Sequence, residues 1–356
     1  MKKIACILLI AVLSLQVSCS SDSSGSETTT DTFVRSADIS FLPLLETQGA
    51  LLYNGAAQQD MVTTLKSNGC NYVRLRLWYE PEFGLSGMAE VKTLANRART
   101  AGMKVWLSVH YSDSWADPGT QTPPADWQSL SFTDLKAAVS AYTALVLTEI
   151  NPDIFQIGNE TNDGFLWPQG KLSTNEAQCL ELFAAASATI RAQSPNTKIM
   201  LHYAGTNASD WFFNKTSLID YDYIGLSYYP VWHGKNLTTV QNTINSLGQA
   251  HDKKVLIAET AYPFTLDWND WTNNVVGLDN QLVPGYTATP EGQKAFLLAI
   301  KNIVKDSGYG LGFSYWGGEW VSFMGDEATN GSTWENQALY DFDNKALPVM
   351  DAFNAN

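Results

Sequence analysis

Two carboxylic acids close apolar, strand-like runs in this chain: Glu160 ends "FQIGNE" and Glu259 ends "KVLIAE". Set face to face, such a pair can break a glycosidic bond. One carboxylate attacks the sugar or activates a water, while the other carboxyl protonates the leaving oxygen. A retaining reaction wants the two groups roughly 5 to 5.5 Å apart and an inverting one roughly 6.5 to 9.5 Å, a distance that sequence does not contain. One group must stay protonated while the other is ionised, which burial and hydrogen-bonding neighbours can arrange. The competing reading is structural, a salt-bridged or capping pair. Asn159, just before Glu160, poses the same alternative: a strand leaving the core at a rim, or an amide at the mouth of a site.

Other chemistry-bearing residues share this placement. Asp38, Arg74 and Arg76, His110, His202, Tyr228 and Tyr229, and Trp316 lie in or at the ends of comparable runs. Any one of them can be a satisfied core group, the lone His202 above all. Their common position asks for a scaffold that gathers strand ends.

The periodicity supplies one. Strand-like runs occur at Phe33–Ser40, Tyr72–Trp78, Lys104–His110, Ile154–Asn159, Lys198–His202, Tyr223–Tyr228, Lys254–Glu259 and Gly312–Trp316. Helix-like segments lie between them, at Gln58–Ser67, Ala89–Thr100, Leu135–Thr148, Glu176–Gln193, Val240–Gln249 and Glu291–Lys305. Ser131 with Asp134 and Ser173 with Glu176 have capping-box spacing, Thr289-Pro290 places a cap before a first-turn proline, and Gly69, Gly102 and Gly308 can end helices. This alternation predicts a single α/β domain, a (β/α)8 TIM barrel, whose chemistry sits at the carboxyl ends of the strands. A doubly wound open sheet is the rival, but no glycine-rich phosphate fingerprint follows the first strand.

Composition narrows the partners. The 356 residues carry a net charge of −14 with 22 basic residues, which argues against nucleic acid, while 12 tryptophans and 15 tyrosines suit stacking on a neutral sugar. Met1-Lys2-Lys3, the apolar run Ile4–Leu15 and "QVSCS" read as an export leader, too short for a spanning helix. The Val17-Ser18-Cys19 junction resembles a bacterial lipoprotein processing site, so residues 1–18 are expected to be removed, Cys19 lipidated and 19–32 to serve as a Ser/Thr/Asp-rich tether. Plain secretion is the alternative. The expected catalytic domain is 33–356, monomeric, with Cys70 and Cys179 as buried thiols rather than a disulfide.

Seven stretches then carry a resemblance: "SADIS", "VRLRLWYEP", "VHYSDSWADPGTQ", "QIGNETNDGFLWPQG", "GLSYYPVWHG", "AETAYP" and "TWENQALYDF". Together they resemble the arabinogalactan endo-β-1,4-galactanases, glycoside hydrolase family 53, from about Thr32 to the C-terminus. The resemblance implies a retaining endo-hydrolase of galactan side chains of pectin, with Glu160 as acid/base and Glu259 as nucleophile. Asn159 would hold the sugar 2-hydroxyl and Arg74 would support the electrostatics at Glu259. His110, Tyr228 or Tyr229, and Trp316 would surround the same subsite, with His202 also a candidate. Trp115, Trp167 and Trp232 would form the floor or walls of the cleft.

Two departures stand out. After Trp316 the chain reads "GGEW", so Glu319 is displaced from the glutamate and proline that follow the tryptophan in the family pattern. The segment 264–289 is rich in Asp, Asn and Trp. No cofactor is needed for the chemistry; the resemblance implies that a structural calcium can sit near this loop, to which Asp267, Asp270, Asn273 or Asp279 would lend oxygens, although no EF-hand spacing is present and the alternative is a solvated cleft wall. Functional rivals are a hydrolase of mannan or glucan and a non-catalytic glycan-binding lipoprotein. The expected location is a bacterial membrane, by the lipid anchor, at the cell surface.

Overall fold

Eight strands close into a parallel barrel in a computed structural model that describes residues 32–355. They are β1 (Val34–Asp38), β2 (Tyr72–Leu77), β3 (Lys104–Val109), β4 (Ile154–Ile157), β5 (Lys198–Ala204), β6 (Tyr223–Ser227), β7 (Lys254–Thr260) and β8 (Gly310–Tyr315). Each pairs in parallel with its chain neighbours and β1 closes on β8, as expected of a (β/α)8 barrel. The leader, Cys19 and the tether up to Asp31 lie outside the described residues. Among the described residues no helix is long and apolar enough to cross a membrane.

The helices are α1 (Leu42–Thr47), α2 (Met61–Ser67), α3 (Met88–Thr100), α4 (Phe132–Glu149), α5 (Glu176–Gln193), α6 (Ser209–Lys215), α7 (Pro230–His233), α8 (Leu237–His251) and α9 (Pro290–Asp306). Ser131 accepts from the Asp134 amide and Thr289 from the Gly292 amide, so two expected caps form. The expected Ser173 cap does not. Asp163 captures Ser173 instead, accepting from its amide at 2.6 Å and its hydroxyl at 2.8 Å, and α5 begins without a side-chain cap. Gln58 belongs to a small hairpin rather than to α2, which starts only after Asp60 caps it. Cys70 and Cys179 are buried free thiols.

Inside the barrel the two ends differ. Val34, Tyr72, Trp106, Ile154, Met200, Tyr223, Leu256, Ala258 and Leu311 form one apolar plug. Beyond it the inward positions turn polar, with Ser36, Asp38, Arg74, Arg76, Ser108, Gln156, His202 and Ser227 all buried. A barrel interior is a packed core, so such groups need partners, and from Asp38 and Arg74 to Gln156, His202 and Ser227 they find them in one another toward the strand carboxyl ends, while the Ser36 hydroxyl has none.

Candidate active site

Glu259 reaches the barrel mouth through a break in register. β6 and β7 run together until Leu226 faces Ile257, and then Ser227 faces Glu259, leaving Ala258 extra; on the other side Phe313 faces Ile257 while Tyr315 faces Thr260. Leu256 and Ala258 point into the plug, so strict alternation would send Glu259 outward. The β-bulge turns it back in.

Arg74, 2% exposed, anchors the Glu259 side. Its guanidinium donates to Asp38 at 2.8 Å and to Asn159 Oδ1 at 3.0 Å, and its Nη2 lies 2.7 Å from Glu259 Oε1. The Tyr229 hydroxyl donates to Glu259 Oε2 at 2.9 Å. Burial raises Glu259 above the usual carboxylate range, and Arg74 and Tyr229 oppose that by holding it charged. Tyr229 is therefore the inward tyrosine. Tyr228 donates to the Gly234 carbonyl and does not line the cleft, which removes it from the candidates.

Glu160 follows a chain reversal that needs special backbone. Gly158 has φ +74°, where a Cβ would meet the Thr161 methyl at 2.4 Å, and Glu160 itself has φ +46°. Such a conformation persists only when its surroundings over-determine it. Here the Glu160 amide donates to His202 Nδ1 at 3.2 Å, and Gln121 donates to the carbonyls of Asn159 and Glu160 at 2.9 and 3.3 Å. The Glu160 side chain accepts one hydrogen bond, from Ser227 Oγ at 2.6 Å. Burial and the charge of Glu259 push its pKa up to about 8, against the Ser227 bond.

His202 is fully buried and does not line the cleft. Its Nδ1 faces the Glu160 amide and the Gln156 amide NH2, both donors, so Nε2 carries the proton and donates to Ser227 Oγ at 3.0 Å. It is corrected from sugar contact to support: the chain His202–Ser227–Glu160 aims the serine proton at the carboxyl. Glu160, His202 and Glu259 are the one described group with three ligand-type atoms within 4.8 Å of one another. Both imidazole nitrogens are already engaged, so this is a carboxylate pair with a buttress, not a metal centre. The same bound brings one oxygen of Glu160 within 4.8 Å of one of Glu259.

The cleft above them has a volume of about 430 Å³. His110 lines it; its Nδ1 accepts from Trp78 Nε1 and the Ala116 amide, both at 3.3 Å, which leaves Nε2–H for the cleft. Burial and then Arg76 hold its pKa well below the usual range, so the ring is neutral. Asn159 lines it too, with Nδ2 donating to the Ala116 carbonyl and a second amide hydrogen left over. Trp115, Trp232 and Trp316 line it as well. Trp167 does not; it lines a neighbouring depression.

Ser227, Gln121 and Trp334 were missed. Trp334 packs on Trp316 at 4.8 Å and lines the cleft, and its signal was present in "TWENQ". Glu319 is withdrawn from the cleft: it is 1% exposed and accepts from the Phe41 amide at 2.9 Å. In segment 264–289, Asp270 accepts from the Thr272 amide and the Ser322 hydroxyl, while Asp267 accepts from Thr265. Neither they nor Asp279 belong to a described group of three metal-ligand side chains.

The model of glycosyl hydrolase family 53 matches residues 34–353. The chain belongs to glycosyl hydrolase family 53. It is 34% identical to an arabinogalactan endo-β-1,4-galactanase of Cellvibrio japonicus, covering 91% of each chain. It is 32% identical to an endo-β-1,4-galactanase of Bacillus subtilis, covering 90% of this chain and 85% of that one. Among solved structures it is similar to the family 53 catalytic domain of Ignisphaera aggregans, with a TM-score of 0.85 and 35% identity over 92% of this chain and 97% of that one. The two carboxyls described above follow β4 and β7 of this barrel.

Proposed function

We propose that the protein is a retaining endo-hydrolase of β-1,4-galactosidic bonds in galactan and type I arabinogalactan side chains. The observation that carries the mechanism is the pair of unequally partnered carboxyls: Glu160 with one neutral donor, Ser227, and Glu259 held by the Arg74 cation and the Tyr229 hydroxyl. Glu259 attacks the anomeric carbon as the Glu160 proton passes to the leaving oxygen, so the glycosidic bond breaks as the glycosyl–Glu259 ester forms. Glu160, now a carboxylate, takes a proton from water. The resulting hydroxide equivalent attacks the same carbon and releases Glu259. The spare hydrogen of Asn159 faces the 2-hydroxyl of the bound sugar, and His110 Nε2–H donates to another hydroxyl. Trp115, Trp232, Trp316 and Trp334 stack on the apolar faces of the sugars.

The choice of galactan rests on the similarity to enzymes that carry that name. Sugar release from linear galactan, mannan and β-glucan tests it, with cleavage of galactan alone expected; cleavage of the others without galactan refutes it. Residues 1–18 are proposed as a lipoprotein leader and Cys19 as the lipidated anchor of a tether up to residue 32, with the catalytic domain at 33–356 acting as a monomer at the cell surface. Metabolic lipid labelling lost in Cys19→Ala, with protease accessibility on whole cells, tests the anchor and the exposure.

A further inference from the structure

Beside the catalytic cleft lies a second depression of about 500 Å³. The loop after β3 joins the two: Ala116, Asp117 and Pro118 line the cleft, and the next residues, Gly119, Thr120 and Gln121, line the depression. Its other wall is the loop after β4, with Trp167 and Gln169. No charged side chain lines it, which suits a neutral ligand and not an ionic one.

The wall is built rather than loose. Trp167 is pinned at three points: its amide donates to the Gln121 carbonyl at 2.8 Å, its indole Nε1 donates to the Asp163 carbonyl at 2.9 Å, and Lys171 Nζ sits 4.5 Å from its ring centroid. Gln128 and Gln169 each tie down only their amide NH2, to the carbonyls of Pro123 and Leu130, leaving their Oε1 acceptors free. Gln121 is 2% exposed, and its Oε1 has no partner while its Nε2 grips the carbonyls of Asn159 and Glu160. Gln121 thus serves as a buried brace between the two loops, while the free acceptors of Gln128 and Gln169, on less buried side chains, can take a hydrogen bond from a hydroxyl-bearing ligand. An indole held still between amides is a ready platform for a pyranose.

We propose that this depression is an aglycone subsite, holding a neutral hexosyl unit of the polymer on the reducing-end side of the cut, beyond the sugar that leaves. The side follows from Glu160: the group that protonates the leaving oxygen stands beside the leaving portion, and Gln121 couples the depression to the backbone of Glu160. The inference rests on the proposed roles of Glu160 and Glu259.

Two variants test it. Thr122→Trp, at an exposed position, fills the depression, and Trp167→Ala removes its platform. The measurement is the ratio of kcat/KM for a reducing-end-labelled linear galacto-oligosaccharide of six or more sugars to kcat/KM for an aryl galactobioside, whose leaving group stops short. Both variants are expected to lower this ratio about tenfold and to shift cleavage away from the labelled end. An unchanged ratio and cleavage pattern in Thr122→Trp, with folding confirmed by circular dichroism, overturns the subsite. So does an equal loss on both substrates, which makes the loop a support for Glu160. If the wild type cleaves mannan oligosaccharides instead of galactan, the same ratio on mannan reads the subsite independently of substrate identity.

Discussion

Replacing Ser227 with alanine isolates the device that sets the acid. Ser227 is fully buried, receives the His202 Nε2 proton at 3.0 Å and donates to Glu160 Oε1 at 2.6 Å, the sole hydrogen bond to that carboxyl. The bond favours the ionised form and so opposes the burial and the Glu259 charge that bring Glu160 to about 8. A hydrogen bond to a charged group contributes about 1.5 to 3 kcal/mol, and the neutral acid keeps part of it, so the difference between the two forms is about 1 to 2 kcal/mol. At about 1.4 kcal/mol per unit of pKa, Ser227→Ala should raise the acid by about one pH unit. Since Glu160 must be protonated to donate, the alkaline limb of kcat/KM, a property of the coupled pair, moves upward by that amount. The weaker acid also slows substrates with poor leaving groups about tenfold relative to activated aryl glycosides. A pH–rate profile on galacto-oligosaccharide and aryl glycoside reads both effects. An alkaline limb that stays fixed or moves down in a folded variant refutes the relay.

Other consequences follow from the same contacts. Tyr229→Phe removes the 2.9 Å donor to Glu259 and should lower kcat by about 100 to 1,000-fold, the order expected for a preorganised donor, while moving the acidic limb upward; a pH profile checks both. Arg74→Met leaves Asp38 and Glu259 buried without their cation and should cost about 3 to 5 kcal/mol in urea unfolding, with a loss under about 1 kcal/mol counting against the network. Burial and then Asp38 push Glu319 up to about 8 from the ordinary 4.5. The folded state therefore holds a proton that the unfolded chain loses between those values, and this stabilising contribution, full below about 4.5, is lost as pH rises through 8. Glu319→Gln should flatten the fall in Tm across that window.

The barrel was legible because its parallel strands are continuous apolar runs separated by helix-length segments. The carboxylate pair was legible because both glutamates follow such runs. Much of what failed has one cause. Strands buried on both faces show no alternation, so parity could not separate Tyr228 from Tyr229, or show that Ser227 points inward while His202 stops short of the cleft. The bulge at Ala258 is likewise silent in "KVLIAE", although it decides which way Glu259 faces. The Ser173 cap failed because Asp163, ten residues upstream, offered both of its donors a carboxylate. Asn159 follows a buried strand, but its partner Arg74 comes from two strands away, a pairing that no local pattern in "QIGNE" encodes.

Trapping the covalent intermediate tests the central assignment most directly. A β-1,4-galactobiosyl donor with fluorine at C2 and an activated leaving group slows hydrolysis of the glycosyl–enzyme enough for peptide mass spectrometry. The label should fall on the peptide carrying Glu259 and vanish in Glu259→Ala. Label on Glu160, or full turnover of galactan by Glu259→Ala, contradicts the account.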